Sequence, residues 1–197
     1  MRLSESEIIA GCLQKKRKAQ RALYDQYHPV LLGICLRYAK SRAEAEDVLL
    51  MALTRIYKKI DTYNGDGSFE GWMKRVVVNI AIDNYRKNFK HYFHDDLEDI
   101  PQGNLGFHII PDSFSVKDIL KTVQELPDGY RVVFNLFAIE GYSHKEIAKQ
   151  LGITESTSKT QLLKARKKLQ QKLIQYKLVD DKSRTEKKIK VEWGRAL

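Results

Sequence analysis

HKEIAKQLGIT, residues 144–154, decides how this chain folds. Ser143 precedes it and Glu146 stands three places on, the pattern of a reciprocal helix N-cap. Ile147, Ala148 and Leu151 then make one apolar face. Gly152 follows directly, where a helix closes on a left-handed residue. Ile153 tucks under the turn, and Thr154 is a good N-cap for a second helix. That helix carries Ser158, Leu162, Ala165, Leu169 and Leu173 on one stripe. The spacing predicts a helix-turn-helix whose second member docks by its stripe and turns its first residues outward, toward base edges in a major groove. Ser156, Thr157, Lys159, Thr160 and Gln161 are the candidate readers. Gln pairs two-pronged with adenine, and Lys meets guanine or phosphate. Lys164 is a further DNA-binding candidate on this helix, and Arg166, Lys167 and Lys168 suit backbone phosphate. The competing reading is a helical hairpin with a solvated basic face.

Upstream, Leu126-Pro127-Asp128-Gly129-Tyr130-Arg131 reads as a turn that starts another helix. Val132, Val133, Leu136, Phe137 and Ile139 supply its core face, and Gly141 ends it. Three or four helices then make a compact DNA-binding unit.

The whole chain has 197 residues and a net charge of +10, which favours a polyanionic partner. No apolar run reaches the roughly 18 residues that span a bilayer, and the N-terminus has no signal-peptide pattern. A cytoplasmic protein without membrane insertion is expected. Cys12 and Cys35 lie among apolar residues at helical spacing and read as buried free thiols. With no CxxC and no histidine partner they make no metal site.

Helical periodicity runs almost everywhere, so the fold class is all-α. Residues 1–90 form one helical domain. Residues 91–114 contain two prolines, two glycines and the acids Asp95, Asp96, Glu98 and Asp99, and read as an acidic flexible linker. Residues 115–175 form the second helical domain, and residues 176–197 a charged tail expected to fray.

In the first domain, Ala45, Val48, Leu49, Ala52, Leu53, Ile56, Tyr57 and Ile60 make a clean amphipathic stripe. Leu50 and Met51 fall outside it, beside Asp47 and Thr54, an adjacent apolar pair that hints at a protein partner. Asn64-Gly65-Asp66-Gly67 is a loop, and Ser68 caps the next helix. Phe69, Trp72, Met73, Val76, Val77 and Ile80 form its inner face. Arg75, Asn79, Ile82 and Arg86 form another, with Tyr85 adjacent. Basic, amide and aromatic groups on one helix suit single-stranded nucleic acid. A core helix with a solvated face is the plainer reading.

Four stretches together carry a family resemblance: AEDV at 45–48, GSFEGWMKRVVVN at 67–79 with Arg86, LPDGYRVVF at 126–134, and GYSHKEIAKQLGI with KARKKL between 141 and 169. In this order the chain resembles the bacterial RNA polymerase sigma factors of the extracytoplasmic-function (ECF) group. The resemblance implies a region 2-like domain that binds core RNA polymerase and melts the minus-ten element, capturing an unpaired base. Asn64, Asp66, Ser68, Phe69, Trp72, Arg75, Asn79, Tyr85 and Arg86 would serve there. It implies a region 4-like helix-turn-helix that reads the minus-thirty-five element as duplex. Glu46, Asp47, Leu50, Met51 and Thr54 would meet the polymerase, although Leu50 and Met51 replace a Gln and an acid usual in the family. Ser158 stands where many relatives carry valine on the buried side of the reading helix; a serine can bond back to a carbonyl one turn earlier, so the change is tolerable. Promoter DNA, duplex and single-stranded, and an inhibitory anti-sigma factor are the further partners implied. No catalytic residue and no cofactor are.

Two other classes compete. A helix-turn-helix regulator that never joins polymerase would need a ligand pocket or a dimer seam. A nucleic-acid enzyme would need metal ligands, but Glu44, Glu46 and Asp47 project in different directions on one helix.

Overall fold

The computed structural model describes residues 3–88 and 116–193, which form eight α-helices and no strand. The linker read at 91–114 lies outside the described residues, as does the end of the tail beyond Trp193. Helix α1 spans Glu5–Leu13, α2 Arg17–Tyr38, α3 Arg42–Lys59 and α4 Phe69–Asn88. These make the front module. Helix α5 spans Val116–Gln124, α6 Asp128–Phe134, α7 His144–Leu151 and α8 Glu155–Trp193, making the rear module.

Local chemistry sets the ends. Ser4 and Glu7 cap α1 reciprocally, with Ser4 N donating to the Glu7 carboxylate at 2.8 Å. Gly11 brings α1 against α2: a Cβ there would lie 2.4 Å from Ala19 Cβ. Ser41 caps α3, accepting from Glu44 N at 3.1 Å. The Val76-Val77-Val78 run sits within α4 despite its β-branched side chains.

Leu23, Leu31, Ile56, Phe69, Met73 and Val77 are fully buried where α2, α3 and α4 pack together. Each such side chain contributes about 1.5–3 kcal/mol by leaving water. The same cluster continues without a break into Val132, Val133, Leu136, Ile147, Leu151 and Leu162 of the rear module. The two modules are thus packed on one another in a partly shared interior.

Three expectations need correction. Ile82 is 1% exposed and belongs to the core, because α4 is covered on two sides, by α2 with α3 and by the rear module. Ile139 is 44% exposed. It lies in a five-residue π turn, Asn135–Ile139, that rotates it off the α6 stripe. The segment from Tyr176, expected to fray, instead continues α8 to Trp193.

Candidate nucleic-acid interface

The recognition hairpin is built as its sequence dictates. The Ser143 hydroxyl donates to Glu146 Oε2 at 2.7 Å and Ser143 N donates to it at 2.8 Å, which together hold the Glu146 carboxyl below its usual range, while Glu146 N donates to the Ser143 hydroxyl. Gly152 closes α7 at φ 70°, ψ 35°, the left-handed region. Thr154 caps α8, its Oγ1 accepting from Thr157 N at 3.0 Å. The turn leaves Ser156, Lys159 and Thr160 exposed at the start of α8, with Lys167 exposed two turns on. Thr157 is half-buried, its hydroxyl 2.8 Å from that of Thr154.

The remaining candidates on α8 face elsewhere. Gln161 packs its amide over Gly129 at the start of α6, where a Cβ would come within 3.3 Å, and its Oε1 is buried without a partner. Lys164 is 5% exposed. Both lie on the side of α8 that packs against α6, so neither projects with the outward groups. Arg166 lies over the Phe137 ring at 5.7 Å, and Phe137 stacks on His144 at 4.5 Å. Ser158 is fully buried. Its hydroxyl meets His144 Nδ1 at 2.9 Å, a contact across the hairpin. Burial, then Lys159 and Arg166, hold the His144 imidazole below its ordinary pKa.

On the front module, the loop before α4 is tied to itself. Asn64 Nδ2 donates to Asp66 Oδ2 at 2.6 Å, and the Tyr63 hydroxyl donates to Gly67 O at 2.9 Å. Ser68 Oγ accepts from Gly71 N at 3.0 Å, so its hydroxyl caps α4. Asn64, Asp66, Ser68, Arg75, Asn79 and Arg86 are exposed, and Trp72 is half-exposed. Phe69 and Tyr85 are corrections to the set of DNA contacts, although the burial of Phe69 agrees with its place on the inner face of the helix. Phe69 is fully buried, its ring edge-on to Tyr27 at 5.9 Å and parallel to Trp72 at 5.7 Å. As the first residue of α4 it points back under the turn N-terminal to it, into the core. Tyr85 is 9% exposed under Arg131 and Val132 of the rear module, and burial pushes its hydroxyl pKa upward.

The α3 candidates share one outer face. Glu46 pairs with Arg42 at 2.8 Å, Asp47 is exposed, and Thr54 Oγ1 donates to Leu50 O at 2.9 Å. Leu50 is 66% and Met51 41% exposed. They line a groove of about 660 Å³ between α3 and α4, together with Ile80, Arg55, Lys58 and Lys87.

Cys12 and Cys35 are buried and unpaired, as read, and burial pushes the Cys35 thiol up to about 12. The buried polar side chains Arg131 and Asn135 were missed by sequence reading. Their signal was present: both stand among apolar residues, one helical turn apart, on the covered face of α6 and the π turn that continues it.

Residues 23–90 match the family described as Sigma-70 region 2, and residues 117–169 match Sigma-70, region 4. The ECF RNA polymerase sigma factor SigW of Bacillus subtilis (strain 168) is 30% identical over 162 residues, covering 77% of this chain and 87% of the relative. The chain belongs to the ECF sigma factors. SigX of the same organism is 28% identical over 179 residues, 84% of this chain and 90% of the relative. The ECF sigma-E factor of Haemophilus influenzae is 23% identical over 182 residues, 87% of this chain and 96% of the relative. In this sigma factor the region 2 match ends just beyond α4, and the region 4 match ends at Leu169 within α8. No helix among the described residues is long and apolar enough to cross a membrane.

Proposed function

We propose that this ECF sigma factor joins core RNA polymerase through the α3 face and directs it to promoters, with no catalysis of its own. The front module contributes to melting the minus-ten element through Arg75, Asn79 and Arg86, with Trp72 at its edge. The rear module reads the minus-thirty-five element through Ser156, Lys159 and Thr160, with Lys167 on phosphate. The observation that carries this reading is the pair of matches, region 2 and region 4, in one chain and in that order. The exposed, capped start of α8 behind a left-handed glycine supports the rear assignment. Inhibition by an anti-sigma factor that occludes these faces follows from the same reading. A regulator independent of polymerase has less support, since the rear module alone would suffice for it. The test is transcription in vitro. Core polymerase with this protein should initiate at a restricted set of promoters. Initiation no more selective than with core alone would refute the reading.

A further inference from the structure

Helix α2 ends at Tyr38, and a helix leaves its last carbonyls without partners of its own. Three of them are taken by side chains of the rear module. Gln124 Nε2 donates to Leu36 O at 2.9 Å, Asn135 Nδ2 to Arg37 O at 2.7 Å, and Arg131 Nε to Tyr38 O at 3.0 Å. Arg131 is 3% exposed and held from its own side, Nη1 donating to the carbonyls of Gln124 and Leu126 at 2.9 Å each and Nη2 to Asp128. Its charge also faces the negative end of the α2 dipole. Two ion pairs flank the seam: Arg37 with Glu140 at 2.7 Å, and Lys40 with Asp128 at 2.6 Å.

This seam lacks the finish of a permanent interior. Arg37 Nε and Asn135 Oδ1 are buried in it without hydrogen-bond partners, whereas buried polar groups are normally satisfied. Every group in it would regain water if the modules parted, so its polar bonds are exchanged at small net cost. The closed arrangement also conflicts with promoter engagement. It covers Tyr85. Elements centred near minus ten and minus thirty-five lie about 25 base pairs, or about 85 Å, apart along B-DNA. Modules in direct contact cannot hold both. The chain between Asn88 and Val116 has the length to separate them, since at about 3.3–3.6 Å per residue it reaches about 90–100 Å.

We propose that Gln124, Arg131 and Asn135, laid over the C-terminal carbonyls of α2 and clasped by the Arg37–Glu140 pair, form a latch that holds the free chain closed and must open before both promoter elements are engaged. What the latch restrains rests on the function proposed above; its existence does not.

The test places a donor and an acceptor dye on the full chain at D61C and K149C. Both positions are exposed and lie outside the proposed interfaces, while Cys12 and Cys35 are buried from the label. The free parent should show high energy transfer. Arg37→Glu or Glu140→Arg alone should lower the closed-to-open ratio about tenfold or more, and the two together, restoring the pair in reverse, should return it toward the parent. Core polymerase with promoter DNA should abolish the high-transfer population of the parent. Single variants with parental transfer, a double variant that fails to reclose, or high transfer persisting in a transcribing complex would each overturn the latch. A parent that forms no transcribing complex, while the charge swap still governs transfer, would overturn the sigma reading and support the latch.

Discussion

Phe69 separates the two readings of α4 by experiment. If the ring is core, Phe69→Ala removes a fully buried aromatic side chain held among Tyr27, Tyr63 and Trp72. Such truncations cost about 3–5 kcal/mol. For a chain of this size each kcal/mol shifts the melting temperature by about 2–4 °C, so the midpoint should fall by about 6–20 °C. Phe69→Leu keeps most of the volume, should cost less than about 1.5 kcal/mol, and should leave promoter opening near the parental level at 25 °C. If the ring instead stacked on an unpaired base, Phe69→Leu would sacrifice about 1–3 kcal/mol of stacking. Open-complex formation would then drop about 5- to 150-fold with no change in melting. Circular dichroism melts alongside permanganate footprinting of the opened strand read both quantities. A stable Phe69→Leu protein that fails to open promoters would refute burial as the role of this side chain.

Four further outcomes follow from other sites. Leu50→Gln with Met51→Glu should change core-polymerase affinity several-fold while leaving the melting midpoint within about 4 °C, since both residues are exposed; fluorescence anisotropy against core polymerase checks it. Lys159→Ala should weaken binding to a minus-thirty-five duplex and reduce its salt slope by about one if the ammonium meets phosphate. Gln161→Ala should act mainly on stability, because its amide packs on Gly129; a large change in base preference from Gln161→Ala alone would contradict that placement. The His144 imidazole has a folded pKa below its ordinary 6.5, so the unfolded chain takes up the proton first as pH falls. The stabilisation is therefore fully present above about 6.5 and is lost as pH drops below it. Urea midpoints should fall from pH 7.5 to 5.5, and His144→Gln should flatten that part of the dependence.

What the sequence made legible was local. The Ser143–Glu146 cap, Gly152 and Thr154 act within a few residues of one another, and each is found in its expected role. The amphipathic stripe of α3 is legible for the same reason: a regular period marks one covered face. Legibility ended where a second element decided the outcome. Ile82 and Tyr85 belong to a helix covered on two faces, and one helical period does not reveal that the second cover comes from residues 45 places or more along the chain. Gln161 has the chemistry of a base reader, yet Gly129 leaves space that its amide fills. The apolar neighbours of Arg131 and Asn135 mark both as covered, but the α2 carbonyls that take their donors lie more than 90 residues away in the chain.

The π turn after α6 carries a consequence for inheritance. There Glu140 N reaches back five residues to Asn135 O at 3.0 Å, so one surplus residue is absorbed without breaking the helix. An α-helix advances about 100° and 1.5 Å per residue. Loss of a single codon in this stretch would therefore re-index everything downstream, swinging the recognition hairpin against the front helices while leaving its own internal contacts whole. Length at this point, more than composition, is what descent must preserve.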